Sequence, residues 1–526
     1  MEDNINSDTS QIFHLWHKFK LRLLLEGILV GIFSGLFVVL YRVILGRAEQ
    51  FTTTIYSFLA VNKIYIPLGL IVLIIVGYFV GFLVEKEPMI SGSGIPQVEG
   101  ILAGYFDVSP IKVMFNKFVG GVLAIGSGLS LGREGPSIQL GASCGQLVAK
   151  MFKRVKLEEK FLMTSGASAG LAAAFNAPFA GVMFALEEVH KNFSPLVLLS
   201  AMSASVTADY VAKQFFGLKP LFDIGGYDSI PLKYYLLLIG LGIFIGIGGA
   251  IYNSTLLKTQ DLYKKIKTST RIKMIIPFIF AMLFGLLLPQ VLGGGHEIIE
   301  SLIKGQVILK MAIILLLGKF VFSMISFCSG SPGGILFPLL VLGALVGAIF
   351  GNISILLFNV PSHYISNFVI LAMAGMFTAI VRAPITGIIL ICEMSGSFTH
   401  LLSSTAVCAT AYLVADLLKS SPIYESLLDR LIRKEKRGLE EETKTDKILV
   451  ECIVHHGSAI EEAILKDIPF PNNTLIVSIK RGENEIIPKG DTKVIAGDFL
   501  ICLVNHREEA SVRKKLSLLC EEVKMK

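Results

Sequence analysis

Long stretches with few charged residues alternate with short polar segments over most of the chain, and this pattern predicts membrane helices. Some stretches reach the roughly 20 apolar residues that a helix needs to cross a bilayer, whereas others are short or interrupted by Gly and Pro. The pattern therefore predicts an all-α integral membrane protein with broken helices. The stretches are Gly27–Tyr41, Ile64–Val84, Tyr234–Leu257, Met274–Gly295, Met311–Phe337, Leu339–Val381 and Phe398–Ala415.

From residue 448 onward the pattern changes to that of a small soluble domain. Three segments alternate apolar and polar residues as strands do, and residues 458–468 have the spacing of a helix. Gly490 and Gly497, each followed by Asp, are typical of turns. We expect a transmembrane domain over residues 1–430 with halves of about 20–225 and 226–430, a charged linker over 431–447, and a C-terminal α/β domain over 448–518.

Composition supports this division. Of the 526 residues, 53% are hydrophobic and 17% are charged, whereas soluble chains carry about 25% charged residues. Basic and acidic residues balance from residue 431 onward, so the net charge of +7 lies in the membrane part, where it orients loops rather than binding nucleic acid. Basic clusters at residues 17–22, 150–160, 258–273 and 430–437 predict cytoplasmic loops. We therefore expect a multi-pass protein in the lipid bilayer of the plasma (inner) membrane, with both termini in the cytoplasm.

Sequence signatures of catalysis and of metal binding are missing. The seven cysteines stand singly, without a His partner at metal spacing, so we expect buried apolar thiols, no metal site and no cofactor. No Walker A, HExxH, GxSxG or Rossmann fingerprint occurs in the sequence. The sequence therefore predicts that the protein is not an enzyme.

The membrane part contains an internal repeat. A shift of 202 residues gives ten identities in the 29 positions from Lys117 to Gly145, where composition alone predicts about three. A shift of 206 residues matches Glu187 to Glu393. Repeated halves with segments interrupted by Gly and Pro are typical of transporters whose substrate binds between the halves, near the membrane midplane. The repeat predicts this site at residues 132–136 and 334–338.

Three glycine-rich motifs precede apolar segments: GSGIP at 92–96, GREGP at 132–136 and GSPGGILFP at 330–338. The first N–H groups of such helices have no intrahelical acceptor, and together with the helix dipole they favour an anion. Ser93 adds a hydroxyl donor, and Tyr424 either adds another or is an ordinary interfacial tyrosine. Close helix packing is the alternative explanation for the glycines. The glycines of the expected anion path are Gly92, Gly94, Gly132, Gly135 and Gly334.

Carboxylates within membrane-embedded sequence are costly and indicate function. The Glu134 carboxylate could occupy an anion site and leave it when protonated, serving as gate and proton carrier; a structural salt bridge with Arg133 is the alternative. Glu187 and Glu393 are repeat partners, which suggests a structural role. Glu188 has no repeat partner, so it is the better candidate for an asymmetric function, unless it is a solvated helix end.

Together these motifs resemble the CLC family of chloride channels and proton-coupled chloride exchangers. GSGIP, GREGP, GGILFP and the Tyr424 segment occur in the order and approximate spacing of that family, over about residues 20–430. The resemblance implies the CLC fold of two inverted-topology repeats, here followed by a small C-terminal α/β domain. It also implies a homodimer with an independent pathway in each subunit.

The resemblance further implies roles for single residues. Glu134 would be the external gating glutamate, and Glu188 lies where exchangers keep an internal proton-transfer glutamate. The chloride-binding groups would be the Ser93 and Tyr424 hydroxyls and the backbone N–H groups of Ile335 and Leu336. We therefore expect an antiporter whose transported partners are chloride and protons.

Two departures from the family pattern limit what the resemblance implies. Leu336 stands where many members have phenylalanine, and Phe337 follows it, so the aromatic residue of the anion path is missing or displaced by one position. The paired CBS domains of eukaryotic members are absent from the sequence. Instead, residues 448–518 resemble the C-terminal half of the RCK family (TrkA-C type), which implies a regulatory module that in some members binds a small-molecule ligand; a stabilising cap is the alternative.

Two other functions stay open at this stage. A CLC chloride channel without proton coupling, gated by voltage or ligand, is opposed only by Glu188. A cation transporter regulated by an RCK-type domain is disfavoured, because the sequence has no TVGYG filter and its motifs offer N–H donors rather than carbonyl rings.

Overall fold

A computed structural model describes residues 2–222, 230–436, 447–472, 474–482, 484–505 and 508–521. Its α-helices are α1 (Glu2–Val61), α2 (Ile66–Lys86), α3 (Ile95–Leu102), α4 (Pro110–Gly126), α5 (Glu134–Met151), α6 (Lys156–Phe175), α7 (Pro178–Phe184), α8 (Pro195–Phe216), α9 (Tyr235–Lys265), α10 (Thr270–Lys273), α11 (Ile275–Leu287), α12 (His296–Ile303), α13 (Leu309–Cys328), α14 (Leu336–Phe358), α15 (Ile365–Val381), α16 (Pro384–Ser395), α17 (Leu401–Leu417), α18 (Ile423–Lys436) and α19 (Glu509–Glu521). The strands are β1 (Lys447–Ile453), β2 (Leu475–Arg481), β3 (Asn484–Ile486) and β4 (Phe499–Asn505).

Long apolar helices and short helices both occur in the membrane part. Within the described ranges, eight helices are long and apolar enough to cross a membrane. By contrast, α3 and α12 have eight residues and α7 has seven, so each is about 12 Å long or less and cannot cross alone. This mixture confirms the predicted helical membrane fold with broken helices.

The described chain forms two compact units. The first comprises Met1–Val98 and Ser109–Leu427, and the second comprises Glu99–Val108 and Leu428–Lys526. The second unit therefore contains, besides the C-terminal domain, ten residues from the end of α3 and the segment that follows it.

Glycines allow the helices of the first unit to approach closely. A Cβ atom on Gly141 or Gly145 of α5 would collide with backbone carbonyl oxygens of α6. Their repeat counterparts Gly343 and Gly347 in α14 lie in the same way against backbone oxygens of α15. Small residues stabilise helix pairs in membranes by such close packing. These four glycines, which lie inside α5 and α14 after the predicted anion-path motifs, therefore serve packing.

The two repeats also cap each other's helices. The carboxylate of Glu187 accepts hydrogen bonds from the N–H groups of Ile385 (3.2 Å) and Thr386 (2.7 Å) at the start of α16. The carboxylate of Glu393 accepts from the N–H groups of Phe179 (3.1 Å) and Ala180 (2.8 Å) at the start of α7. Each glutamate satisfies N–H groups that have no intrahelical acceptor. This contact gives Glu187 and Glu393 a structural role.

The second unit contains an antiparallel sheet in the order β1-β4-β2-β3, with a register irregularity between Ile476 and Ser478. The helix α19 packs on β1, and together they enclose a core that includes Val450, Cys502 and Leu516. The strands predicted by alternation are therefore confirmed. All seven cysteines of the chain are buried, and burial raises the pKa of the Cys502 thiol to about 12.

The helix predicted over residues 458–468 is wrong. This segment forms turns and a short 3-10 helix at Leu465–Asp467. Besides turn-type hydrogen bonds within the segment, its backbone pairs with residues 490–494: Leu465 donates to the carbonyl of Thr492 (3.0 Å) and Lys466 to that of Gly490 (3.0 Å). The apolar residues satisfied a helical spacing, but pairing with a distant segment replaced the regular hydrogen bonds of an α-helix. The helix of this domain is α19.

Candidate functional site

The two glycine motifs that are related by the repeat lie side by side. Gly132 and Gly334 exchange both backbone hydrogen bonds, each 2.7 Å long, and so form an isolated two-residue ladder. Directly after this ladder, α5 begins at Glu134 and α14 begins at Leu336. Two helix N-termini therefore meet at one place in the first unit. Their first N–H groups have no intrahelical acceptors, which is the arrangement that favours an anion.

The GSGIP motif joins the same cluster. The N–H of Gly92 donates to the carbonyl of Gly330 (3.3 Å), and the N–H of Gly333 donates to the carbonyl of Gly92 (3.0 Å). Gly92 (φ +65°) and Gly94 (φ +94°) adopt backbone conformations that disfavour other residues. A Cβ atom on Gly135 would lie only 2.8 Å from the carbonyl oxygen of Ser93. Glycine is therefore required here for close backbone approach as well as for the turn.

The predicted chloride-binding residues are all buried. Ser93 is 2% exposed, and its Oγ accepts a hydrogen bond from the N–H of Ile95 (3.3 Å), which leaves the hydroxyl proton for another acceptor. Ile335 and Leu336 stand at the start of α14, so their N–H groups belong to the first turn. Tyr424 is fully buried in the first turn of α18. The structure thus places N–H and O–H donors in buried positions, as a site for an anion requires.

A pair of lysines that the sequence analysis did not single out supports the loops around the site. Lys117 is fully buried and its Nζ donates to the carbonyls of Ile90 (2.9 Å) and Gly92 (2.7 Å). Its repeat partner Lys319 is also fully buried and donates to the carbonyls of Val291 (3.0 Å) and Gly293 (2.7 Å). The sequence signal that could have identified them is that the two lysines match in the internal repeat and lie inside otherwise apolar stretches.

Glu134 is fully buried at the start of α5, and its side chain lies so close to Gly132 that a Cβ atom there would collide with Oε2. Neither carboxylate oxygen has a hydrogen-bond partner among the residues that the structure describes. Arg133 Nε lies 3.9 Å from Oε1, close enough for an ion pair but too far for a hydrogen bond. The carboxylate is thus held next to a cation without being tied down by hydrogen bonds.

Glu188 lies in a turn of π-helix, Ala185–His190, which continues α7. Single π-helical turns are frequent at functional sites. The side chain of Glu188 is 5% exposed, so it is not a solvated helix end, and in the described part of the chain its Oε1 has no hydrogen-bond partner. Lys191, just beyond the turn, pairs with Glu425 at 2.6 Å. Glu188 is therefore a buried carboxyl group near an exposed ion pair.

The aromatic residue next to the ladder is Phe337, one position after the residue expected from the family pattern. Phe337 and Leu336 are both fully buried, and a Cβ atom on Gly132 would lie 3.1 Å from the Phe337 Cβ. The Phe337 ring stacks on His296 with ring centres 3.8 Å apart, and on Phe175 at 6.2 Å. Sequence analysis missed His296, whose only signal was its place directly after three glycines.

Comparison with known proteins identifies the protein family that has this arrangement. The family model described as Voltage gated chloride channel matches residues 76–416. The chain belongs to this family, the CLC family. A second model, the TrkA-C domain, matches residues 449–517. The resemblances predicted from the motifs of the membrane part and of the C-terminal domain are both confirmed.

Relatives and solved structures of CLC proteins extend over most of the chain. It is 38% identical to the H(+)/Cl(-) exchange transporter ClcA of Vibrio parahaemolyticus, over 68% of this chain and 79% of the relative. It is 33% identical to the transporter of the same name from Salmonella paratyphi B, over 80% of this chain and 90% of that protein. The crystal structure of a slow cyanobacterial Cl-/H+ antiporter matches with a TM-score of 0.75 and 29% identity, over 79% of this chain and 99% of the other.

A more distant structure confirms the fold alone. A eukaryotic CLC transporter matches with a TM-score of 0.64 at 20% identity, over 79% of this chain and 74% of the other. The protein therefore has the CLC fold expected from the sequence, and it is a multi-pass membrane protein.

Proposed function

We propose that this protein is an antiporter that exchanges chloride for protons across the membrane. The observation that carries the proposal is the position of Glu134, a fully buried carboxyl group at the start of α5, beside the ladder that joins the two repeats. A helix N-terminus favours a negative charge, so this carboxylate and a chloride ion would compete for one position. The similarity to proteins named H(+)/Cl(-) exchange transporters supports the same function.

Chloride binding in this proposal uses donors only. The hydroxyl groups of Ser93 and Tyr424 and the backbone N–H groups of Ile335 and Leu336 would hold the ion. The Ser93 oxygen already accepts a hydrogen bond from the N–H of Ile95, so the hydroxyl proton is available to an anion, which supports this role. Such a set of donors, at the positive ends of helix dipoles, favours an anion over a cation.

Proton transfer would use the two buried glutamates. A deprotonated Glu134 would occupy the anion path and close it, and protonation would remove the charge that holds the carboxylate there. Chloride could then enter while the proton is carried. Glu188, buried in its π-helical turn, would exchange protons with the opposite side of the membrane. Movement of one ion would thus require movement of the other.

The test uses purified full-length protein in liposomes with a chloride gradient and no pH gradient, recording chloride efflux and external pH together. We expect chloride to drive protons uphill, and we expect Glu134→Gln to abolish proton movement while chloride still moves. Glu300→Gln, which removes an exposed carboxylate on α12, is the matched control and should keep both fluxes. Chloride flux without proton movement in the unmodified protein would make it a channel. An absence of chloride flux in folded protein would reopen the cation transporter.

We also propose that the protein is a homodimer in the plasma (inner) membrane with both termini in the cytoplasm and a regulatory C-terminal domain. The basic clusters at residues 17–22 and 430–437 support this orientation. The match to the TrkA-C domain over residues 449–517 supports regulation, with a small molecule as the expected ligand. A reporter enzyme that works only in the cytoplasm, fused to the C-terminus, tests the orientation: no activity would contradict it.

A further inference from the structure

His296 lies beside the gate but outside the proposed chloride-binding groups. It begins α12, directly after Gly295, whose φ of +98° turns the chain. Its ring lies nearly parallel to that of Phe337, with planes inclined by 17° and centres 3.8 Å apart. Its Nε2 lies 3.4 Å from Nη2 of Arg133. One side chain therefore contacts both the aromatic residue next to the ladder and the cation next to the gate.

The contact with Arg133 determines the protonation state of the imidazole. A guanidinium group carries only donors, so Nε2 of His296 must be the acceptor and must carry no proton. The contact therefore needs a neutral imidazole with its proton on Nδ1. A residue without an acceptor at this position could not hold the guanidinium.

Arg133 lies between two acceptors. Its Nη2 contacts His296 at 3.4 Å, whereas its Nε remains 3.9 Å from Oε1 of Glu134, beyond hydrogen-bond distance. If the guanidinium moved from His296 toward Glu134, a hydrogen-bonded ion pair would form and would favour the charged carboxylate. The position of one cation thus decides how readily the gate takes up a proton.

We propose that His296 is a positioning residue that holds Arg133 away from the gate carboxylate and so keeps Glu134 ready for protonation from outside. This inference rests on the proposed antiport function. It adds to that function a residue that sets the external pH range of transport without touching chloride or carrying the transported proton.

Other charged or titratable groups act on His296 or on the gate, and none of them is changed by a substitution at His296. Arg42 on α1 and Lys319 on α13 act on His296, Tyr41, Arg42 and Glu49 on α1 act on Glu134, and Glu297 follows His296 in α12. Because these charges are common to all variants of His296, differences among the variants report the contact with Arg133 or the stacking on Phe337.

Two substitutions separate those contacts. His296→Phe keeps an aromatic ring for Phe337 but has no acceptor for Arg133. His296→Gln keeps a side-chain oxygen as acceptor but loses the ring. We expect His296→Phe to move the midpoint of the external-pH dependence of exchange by about one pH unit toward acid, because a paired carboxylate is harder to protonate. We expect the midpoint of His296→Gln to stay near that of the unmodified protein, and the ratio of chloride to protons to stay unchanged in both.

The experiment measures chloride flux and proton flux in liposomes over a range of external pH, for the full-length protein and each variant. Arg133→Gln should move the midpoint toward alkaline pH, and adding His296→Phe to it should cause no further shift, since the cation is gone. An unchanged midpoint in His296→Phe, an equal shift in His296→Gln, or a shift that persists without Arg133 would each overturn the inference. Failure of antiport itself is visible separately, as missing proton flux in the unmodified protein.

Discussion

Glu187 and Glu188 are neighbours in the chain with opposite surroundings. The carboxylate of Glu187 caps α16 through two backbone N–H groups, whereas Glu188 is buried in the π-helical turn and its Oε1 has no partner in the described ranges. A capped carboxylate is held in place by its hydrogen bonds, so it suits a structural role. A buried carboxyl group without such bonds can change its protonation state without breaking the fold.

We therefore expect Glu188→Val to uncouple the two ions. Proton movement driven by chloride should fall to background, while passive chloride flux continues, because the anion path does not use this side chain. Simultaneous recording of chloride efflux and external pH in liposomes measures both. Glu187→Val serves as the comparison: it should lower the free energy of unfolding by about 1–3 kcal/mol, since N–H groups at the start of α16 lose their acceptor. Retained coupling in folded Glu188→Val would contradict the assignment.

Local spacing predicted the residues of the motifs but not the residues that support them. Ser93, Glu134 and the glycines stand in short patterns whose chemistry is visible in a few consecutive letters. His296 meets Arg133 across 163 positions, and no local pattern records such a contact. The displacement of the aromatic residue to Phe337 was visible in the sequence, yet only the structure places its ring against His296.

At the scale of elements, the pair α5 and α6 depends on backbone contact. Gly145→Ala should lower the free energy of unfolding by about 1–3 kcal/mol, because the new Cβ would meet the carbonyl oxygen of Leu162 and force the helices apart. Gly240→Ala is the control: its Cβ would have one neighbour, a Phe350 ring atom 3.6 Å away, so α9 should keep or slightly gain stability. Thermal unfolding in detergent measures both. Equal stability of the two variants would show that close packing does not stabilise this pair.

The spacing of apolar residues predicted helices and strands correctly where burial of one apolar face determines the structure of the segment. The alternation in residues 448–455 predicted β1, and the apolar stretches predicted the membrane helices. The same reasoning failed at 458–468, where burial of Ile460, Leu465 and Ile468 mimics a helical face while the backbone pairs with residues 490–494. The glycine clusters predicted where α3, α5 and α14 begin, because the turn before each of these helices requires glycine.

At the scale of the whole molecule, the C-terminal domain shares a compact unit with Glu99–Val108. Within that unit, Glu509 of α19 is 1% exposed, and a Cβ atom on Gly104 would collide with its carboxylate. Deletion of residues 440–526 should leave a working chloride pathway but change the rate of chloride transport several-fold. The reason is that Glu99–Val108 loses this neighbour, and the segment includes part of α3, the helix that follows Ser93. Flux in liposomes, with monodispersity as a check on folding, measures the effect.

A point change provides the control for the deletion. Lys514 is exposed on α19, and Lys514→Gln should leave the rate unchanged. A folded truncation without chloride flux would contradict the view that the pathway is complete in the first unit. An unchanged rate would favour a stabilising cap over a regulatory module.

The contacts between the repeats have the form of an isologous interface. Gly132 pairs with its own counterpart Gly334. Glu187 of the first repeat caps α16 of the second, and its counterpart Glu393 caps α7 of the first. Two identical chains related by a twofold axis meet in this way. The single chain therefore carries the geometry of a dimer interface within itself, and the glutamate cap exists twice. A substitution at one copy can be compared with the same change at the other, so the molecule contains its own internal control.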